Sequence, residues 1–201
     1  VWSAQHKLHY GAEFNQNLVN SEAWYQNIRS GERMPAQTRY PKGGSQTWSA
    51  SAYASYKWIL QKKLVLTLGT RYNWGSLEST FSNPMLPYDR IKINNGSLTA
   101  STGVVYTPSD RWQINTILSS GFRNPNVDDY GKVRAKDDYV TVPNPDLSPE
   151  YTYNAELGIS RFVEGYMKIQ VVGFYTYLND AIVRTPYQLN GQDSLEYDGD
   201  N

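Results

Sequence analysis

The amino-acid sequence predicts an all-β fold, an antiparallel up-and-down sheet that forms part of a transmembrane β-barrel. The composition favours pleated strands, since the 201 residues include 17 Tyr and 6 Trp but only 3 Met. Apolar and polar side chains alternate over segments of roughly 10 residues, which is the length a strand needs to cross a bilayer. The connections between these segments alternate between short and long.

The alternation places seven strands. They are predicted at about 5–14, 47–60, 64–74, 97–107, 112–122, 151–160 and 166–178. The connections at 61–63, 108–111 and 161–165 are short, whereas those at 15–46, 75–96 and 123–150 are long. Outer-membrane barrels have short turns on the periplasmic side and long loops outside, so this rhythm indicates up-and-down topology.

The two faces of the predicted strands differ in chemistry. In segment 64–74 the apolar face carries Leu64, Leu66, Leu68, Thr70, Tyr72 and Trp74, and the polar face carries Val65, Thr67, Gly69, Arg71 and Asn73. The same parity assigns six charged residues to the polar face and none to the apolar face: Lys7, Glu13, Lys57, Arg71, Glu156 and Lys168. An Arg or Lys at the middle of a lipid-facing surface costs roughly 2–4 kcal/mol, so this sorting predicts lipid contact.

A soluble sheet would also keep charges away from its core, so alternation alone leaves a soluble β-domain open. Two features favour the membrane. Aromatic residues are predicted near the short turns (Tyr56, Trp58, Tyr106, Trp112, Phe162, Tyr166) and near the opposite strand ends (Trp48, Tyr72, Trp74). The polar face is rich in Ser, Thr, Gly, Asn and Gln, which suits a wide lumen.

Composition argues against several other functions. Lys plus Arg and Asp plus Glu are equal at 19 each, so no net field favours nucleic acid. The sequence has no Cys and no Gly-x-Ser-x-Gly, and we predict no catalytic residue and no cofactor. His6 and His9 are predicted on opposite faces of one strand, and the acidic stretch from Asp193 to Asp200 lacks EF-hand spacing, so no metal site is predicted.

Two proline-containing boxes flank the last long connection. Gly121-Phe122-Arg123-Asn124-Pro125-Asn126 ends one strand, and Asn144-Pro145-Asp146-Leu147-Ser148-Pro149-Glu150 precedes the next. Proline cannot donate to a strand ladder and fixes φ, so the intervening segment is predicted to leave the sheet. The following strand contains Asn154-Ala155-Glu156-Leu157-Gly158.

These boxes resemble the Phe-Arg-Ala-Pro and Asn-Pro-Asn-Leu boxes of the TonB-dependent outer-membrane receptors, with the Pro-Glu and Asn-x-Glu-x-Gly that follow there. The likeness is strongest over 112–187 and extends more loosely to 6–14. It implies a plugged barrel of about 22 strands, of which residues 1–201 would be part, without the plug domain. Phe122, Arg123, Pro125, Asn144, Pro145, Leu147, Pro149 and Glu150 are the residues that match the family motif, and their expected role is structural.

The resemblance implies energised uptake across the outer membrane of a Gram-negative bacterium. The expected partners are outer-membrane lipid, the TonB complex acting through the plug, and a scarce ligand. That ligand is a ferric siderophore or similar iron chelate, haem, cobalamin or an oligosaccharide. The alternatives are a passive porin-type channel and a soluble β-domain that binds glycan or protein.

This sequence departs from the family pattern in two ways. Asn124 stands where the family commonly has Ala, which is expected to alter the start of the loop. No His lies in 126–143, although haem-uptake members have one between the boxes, and Tyr remains as a possible axial ligand.

Long loops that concentrate Arg and aromatic residues are the predicted ligand-binding regions. The candidates are Arg39 and Tyr40 in the first loop, Tyr88 and Arg90 in the second, and Arg123, Tyr130, Arg134 and Tyr139 in the third. Arg favours anionic ligands, and aromatic rings favour sugar or macrocycle faces. For Arg123 the favoured interpretation is an ion pair with the plug or with Asp128, and the alternative is direct ligand contact.

Overall fold

The computed structural model describes residues 4–36, 38, 40–81, 86–130, 134–136, 139–163 and 166–193, with backbone only for 134–136 and 139. Seven long strands and several short elements make up this part of the chain. The long strands are β1 (His6–Val19), β4 (Ser45–Gln61), β5 (Leu64–Thr80), β6 (Arg90–Ser109), β7 (Trp112–Arg123), β10 (Glu150–Val163) and β11 (Met167–Asn179). The short elements are β2 (Trp24–Gln26), β3 (Arg33–Pro35), α1 (Val127–Tyr130), β8 (Arg134–Lys136) and β9 (Tyr139–Thr141).

The seven long strands form one antiparallel sheet in the order β1-β4-β5-β6-β7-β10-β11. Each long strand therefore pairs with the next long strand along the chain, which confirms the up-and-down topology. The predicted short connections are confirmed, and the β4–β5 turn is held to the β6–β7 turn by Lys63 Nζ, which donates to the Pro108 carbonyl at 2.7 Å. Among the described residues, no helix is long and apolar enough to span a bilayer.

The register confirms that the sheet has two chemically different faces. On the apolar face, one cross-strand row runs Leu8, Tyr56, Leu68, Thr102, Leu118, Ala155 and Tyr175. The large apolar side chains of this row are exposed, for example Leu118 at 52% and Tyr175 at 70%. No second layer of the described residues packs over this face.

Two residues at the short-turn end, Arg161 and Phe162, depart from the predicted sorting. Strand β10 runs further than expected, which puts Arg161 on the apolar face at the short-turn end, where its guanidinium lies 5.1 Å from the Trp112 ring centroid. At this depth the long side chain can reach the interface while its stem contacts apolar surface. Phe162 lies on the polar face, and Lys168 Nζ lies 5.4 Å from its ring centroid.

The predicted long connection at 75–96 is wrong. Strand β5 continues to Thr80 and β6 begins at Arg90, so the loop spans only 81–89. The sequence hides this extension because Ser76, Glu78, Asn94 and Asn95 place polar groups on both faces. Strands that extend above the bilayer no longer need an apolar face, so the alternation disappears although the pairing continues.

The loops contain their own short hairpins. In the first loop, β2 pairs with β3, and Arg33 stacks over the Trp24 ring at 4.9 Å. The Asn27 side-chain oxygen accepts the N–H groups of Arg29 at 2.9 Å and Ser30 at 3.2 Å, which shapes the turn. In the third loop, β8 pairs with β9.

The main buried cluster lies at the loop end of the sheet, on the polar face. It consists of Leu77, Phe81, Leu86, Ile91, Ile93, Val127 and Tyr130, with Tyr40, Tyr88, Val140 and Leu147 packed against it. The first five come from the ends of β5 and β6 and the loop between them, and the rest come largely from the third loop. The third loop therefore folds back over the polar face.

Candidate functional site

The first proline box starts the third loop. Strand β7 ends at Arg123, and Asn126 caps the single turn of α1 by accepting the N–H groups of Asp128 at 2.8 Å and Asp129 at 3.1 Å. Asp129 reciprocates, since its carboxylate accepts the Asn126 N–H at 2.9 Å. This mutual arrangement is a capping box, and it fixes how the chain turns away from the sheet.

Arg123 joins the two ends of the third loop. Its Nη1 donates to Asp129 Oδ2 at 2.7 Å, and its Nε donates to Glu150, the first residue of β10. The other Glu150 oxygen accepts the Ile182 N–H at 2.6 Å. Arg123 is thus paired as expected, but with Asp129 and Glu150 instead of Asp128, whose carboxylate accepts from the Tyr40 hydroxyl at 3.4 Å.

Tyr130 anchors the loop from below. The side chain is fully buried, and its hydroxyl donates to Ser79 Oγ at 2.8 Å. Ser79 Oγ lies 2.5 Å from Ser45 Oγ, so the hydrogen-bond chain reaches β4. Desolvation by burial raises the pKa of the Tyr130 phenol to about 12, because the ionised form would lose its hydration.

The second proline box closes the loop. The Asn144 side-chain oxygen accepts the Asp146 N–H at 2.9 Å, and Leu147 packs on the buried cluster. The Tyr88 hydroxyl donates to the Pro143 carbonyl at 2.8 Å, and burial raises the pKa of Tyr88 to about 12, with a smaller contribution from Tyr187. Glu150 then opens β10 directly after Pro149.

The structure separates the predicted ligand-binding residues. Arg90 lies in β6 and not in a loop, and its guanidinium pairs with Glu78 across the β5–β6 ladder. Tyr40, Tyr88, Tyr130 and Arg123 converge around the third loop, where Tyr88 and Tyr130 serve as packing anchors. Arg39 lies outside the described residues.

Two further candidates have a described backbone only. Arg134 in β8 pairs with Thr141, and Tyr139 in β9 pairs with Lys136. They lie in the same hairpin of the third loop. Phe122 is on the apolar face, and its ring centroid lies 6.5 Å from that of Tyr151.

A concave pocket of about 230 Å³ lies on the polar face beside the first proline box. We call it the amide cradle and define it by the residues that line it: Asn15, Asn17, Thr47, Trp48, Ser49, Gly75, Ser76, Leu77, Ile93, Asn95, Asn124, Pro125 and Asn126. Two cross-strand rows form its floor, Asn15-Ser49-Gly75-Asn95 and Asn17-Thr47-Leu77-Ile93. Residues 124–126 form one side.

The sequence did not predict the amide cradle. Its asparagines belong to three separate segments, and Asn15, Asn17 and Asn95 lie in stretches that the alternation predicts as loops. The one sequence feature that pointed to the cradle is Asn124, which differs from the alanine common at this position of the family's first box. In the structure its side-chain oxygen accepts a hydrogen bond of 3.3 Å from Ser97 Oγ on the polar face.

The surroundings of the amide cradle carry charges that neutralise each other. On the polar face below the cradle, Arg71 Nη2 lies 2.6 Å from Glu13 Oε2 and donates to Ser51 Oγ at 2.7 Å. Its guanidinium also lies 5.9 Å from the Tyr53 ring centroid. Within the part of the chain that the structure describes, no group of three or more His, Asp or Glu side chains is placed to hold a metal ion.

A larger concavity of about 610 Å³ lies at the opposite, short-turn end of the sheet. It is lined by Ser109, Asp110, Arg111, Phe162, Val163, Tyr166, Met167 and Lys168. None of the predicted site residues is among them. The amide cradle, beside the family motif and the folded third loop, is therefore the better candidate site.

The fold and this site define a segment of antiparallel β-barrel wall whose third loop folds back over the polar face. The sequence matches the family model described as TonB dependent receptor-like, beta-barrel, over residues 1–197. The chain therefore belongs to the β-barrel family of the TonB-dependent receptors. No curated protein matches the sequence.

Solved structures share this fold at low sequence identity. The copper transporter OprC matches with a TM-score of 0.71 and 12% identity, over 86% of this chain and 27% of OprC. The Serratia marcescens hemophore receptor HasR, solved as a double mutant with its hemophore HasA and heme, matches with a TM-score of 0.68 and 16% identity, over 88% of this chain and 31% of HasR.

The ferric yersiniabactin uptake receptor FyuA from Yersinia pestis matches with a TM-score of 0.63 and 18% identity, over 90% of this chain and 27% of FyuA. The chain thus spans only 27% to 31% of the length of these three proteins.

Proposed function

We propose that residues 1–201 form part of the barrel wall of an outer-membrane receptor that imports a scarce ligand with energy from TonB. The observation that carries the proposal is the two-faced sheet. Exposed Leu and Tyr side chains predominate on one face, while charges, amides and hydroxyls predominate on the other. Such a sheet is suited to contact acyl chains outside and a polar lumen inside.

The proposal assigns the apolar face to outer-membrane lipid in a Gram-negative bacterium. It also assigns a plug domain to a part of the full-length protein outside residues 1–201, and TonB would act through that plug. The third loop, which Arg123 and Tyr130 hold over the polar face, would shape the outer part of the lumen.

The class of ligand is drawn from ferric siderophores and similar iron chelates, haem, cobalamin and oligosaccharides. The solved structures carry titles that name copper, ferric yersiniabactin and heme, so fold similarity does not choose among ligands. For haem, the sequence offers no His between the two boxes. Tyr130 does not replace it, because its hydroxyl is buried and bonded to Ser79.

Uptake by cells that carry the full-length protein tests the proposal. Cells with the intact gene, with the gene deleted, and with the gene intact but TonB deleted would be given each labelled ligand at submicromolar concentration. We expect accumulation of one ligand class that requires both the receptor and TonB. Accumulation that requires the receptor but persists without TonB would instead indicate a passive channel.

A further inference from the structure

The amide cradle has a chemistry that selects among ligands. We infer that it binds a neutral, hydroxyl-rich group of the imported ligand, as found in an oligosaccharide, and that Asn124 is a specificity-determining residue of this site. The inference rests on the proposed function, since it names the ligand class that the imported molecule belongs to.

The side chains that line the cradle supply hydrogen-bond donors and acceptors, and none of them is charged. Five of its residues are asparagines, and the side chains of Thr47 and Ser49 add hydroxyl groups. Each amide offers two N–H donors and one carbonyl acceptor, and each hydroxyl both donates and accepts. A sugar hydroxyl needs this combination, because it also donates and accepts at one atom.

The same lining disfavours an anionic ligand. None of the residues that line the cradle is Asp, Glu, Lys, Arg or His. The nearby guanidinium of Arg71 is bound to Glu13, and that of Arg123 is bound to Asp129 and Glu150. An anion that entered the cradle would lose hydration without gaining a cationic partner from these residues, which is costly.

Asn124 is placed to take part in this recognition. Ser97 Oγ donates to the side-chain oxygen Oδ1 of Asn124, which fixes the side-chain amide. Its Nδ2 lies 3.5 Å from the point that a Cβ on Gly75 would occupy, so the amide nitrogen is directed over the floor of the cradle. The alanine that is common at this position in the family has neither the side-chain oxygen nor the amide nitrogen.

Asn126 is oriented in the same way by its neighbours. Its side-chain oxygen Oδ1 accepts the N–H groups of Asp128 and Asp129, so the capping box that starts α1 also fixes the side-chain amide at the edge of the cradle. Preorganised polar groups bind a ligand with a smaller loss of conformational entropy. The loop fold and the site are therefore coupled.

Two variants of the intact receptor test the inference. Asn124→Ala removes the amide and restores the residue common in the family. Gly75→Leu fills the cradle from its floor, and the strand tolerates the first added carbon, whose nearest neighbours would lie 3.4 to 3.7 Å away. Asn115→Ala is the matched control, because Asn115 is also on the polar face but lies near the short turns, where it bonds to Gln113.

Binding would be measured by calorimetry on purified intact receptor in detergent. The neutral probes are maltohexaose, cellohexaose and N-acetylchitohexaose, and the anionic probes are ferric enterobactin and haemin. We expect a neutral probe to bind, Asn124→Ala to weaken it by about 2- to 10-fold through the lost hydrogen bond, Gly75→Leu to abolish measurable binding, and Asn115→Ala to change nothing.

Several results would overturn the inference. They are failure of all three neutral probes to bind, exclusive binding of an anionic probe, and binding of a neutral probe that both cradle variants leave unchanged. The inference would also be overturned if the cradle variants destabilised the intact receptor without any change in binding. That result would indicate that another segment of the receptor packs into the cradle. Calorimetry needs no TonB, so the proposed mode of uptake can fail in cells while this site is upheld.

Discussion

The hydroxyl of Tyr130 donates a hydrogen bond of 2.8 Å to Oγ of Ser79, a residue 51 positions earlier in the sequence. This bond joins α1 in the third loop to the upper end of β5, and both partners are buried. The third loop is therefore anchored to the polar face of the sheet as part of a packed cluster. The same anchoring places Asn124 and Asn126 beside the amide cradle.

Tyr130→Phe is expected to lower the free energy of local opening of the third loop by about 0.5–1.5 kcal/mol, because one buried hydrogen bond is lost. Tyr130→Ala is expected to cost about 3–5 kcal/mol, since it also leaves a cavity. Hydrogen exchange of amides in 124–149 of the intact receptor measures both. Tyr153→Phe, on the exposed apolar face, is the control, and equal effects of Tyr153→Phe and Tyr130→Phe would contradict the anchoring role.

The buried phenols predict a response to alkaline pH. The pKa of Tyr130 and of Tyr88 is about 12 in the folded state, against 10 for an unperturbed tyrosine. Because the folded pKa is raised, the stabilisation by each neutral phenol is fully present below pH 10 and is lost as the pH rises through about 12. The difference in absorbance at 295 nm between the wild type and Tyr130→Phe reports ionisation of Tyr130, and its midpoint should lie near pH 12. A midpoint near pH 10 would contradict the burial of Tyr130.

Arg123 and Glu150 are expected to be coupled energetically. Arg123→Ala should destabilise the third loop by about 1 kcal/mol, a modest value because the Arg123 side chain is 46% exposed and solvent screens the pair. A double-mutant cycle with Glu150→Ala, measured by the same hydrogen exchange, should give a favourable interaction that weakens in high salt. Arg184→Ala, at an exposed position, is the control; purely additive effects of the two alanine substitutions would show that the pair contributes nothing.

The strands were predictable wherever one face has to be apolar to contact lipid, because this requirement produces a two-residue alternation. Between Leu64 and Trp74 one face must be apolar, so alternation reveals the strand and its register. Beyond Trp74 that requirement ends, and the continuation of β5 to Thr80 leaves no periodic signal. Ile91 and Ile93, two residues apart in a polar stretch and both buried, are the sequence signal for the start of β6.

The candidate site was predictable only in part. The two proline boxes located the third loop, and Arg123 was expected to form an ion pair. Its partners were not predictable, because the capping box that turns Asp129 towards Arg123 depends on the exact conformation of the loop. The amide cradle combines residues from β1, β4, β5, β6 and the third loop, so only the cross-strand register brings it together.

A charge introduced on the apolar face should be costly in lipid. Leu118→Arg is expected to reduce the free energy of folding of the intact receptor into bilayers by about 2–4 kcal/mol. Ser119→Arg, one residue further along β7 and on the polar face, is expected to cost markedly less. Denaturant titration in lipid vesicles measures both, and a larger cost at Ser119 than at Leu118 would reverse the assignment of the two faces.

The central claim, that the apolar face contacts acyl chains, is tested most directly by spin labels at adjacent residues of β7. Residues 1–201 contain no cysteine, so single-cysteine variants along 113–121 can be labelled in the intact receptor once any cysteine elsewhere is replaced. In lipid vesicles, collision with molecular oxygen should be high at Ile114, Thr116, Leu118 and Ser120 and low at the residues between them. Collision rates that show no two-residue period, or that peak on the polar-face residues, would contradict the account.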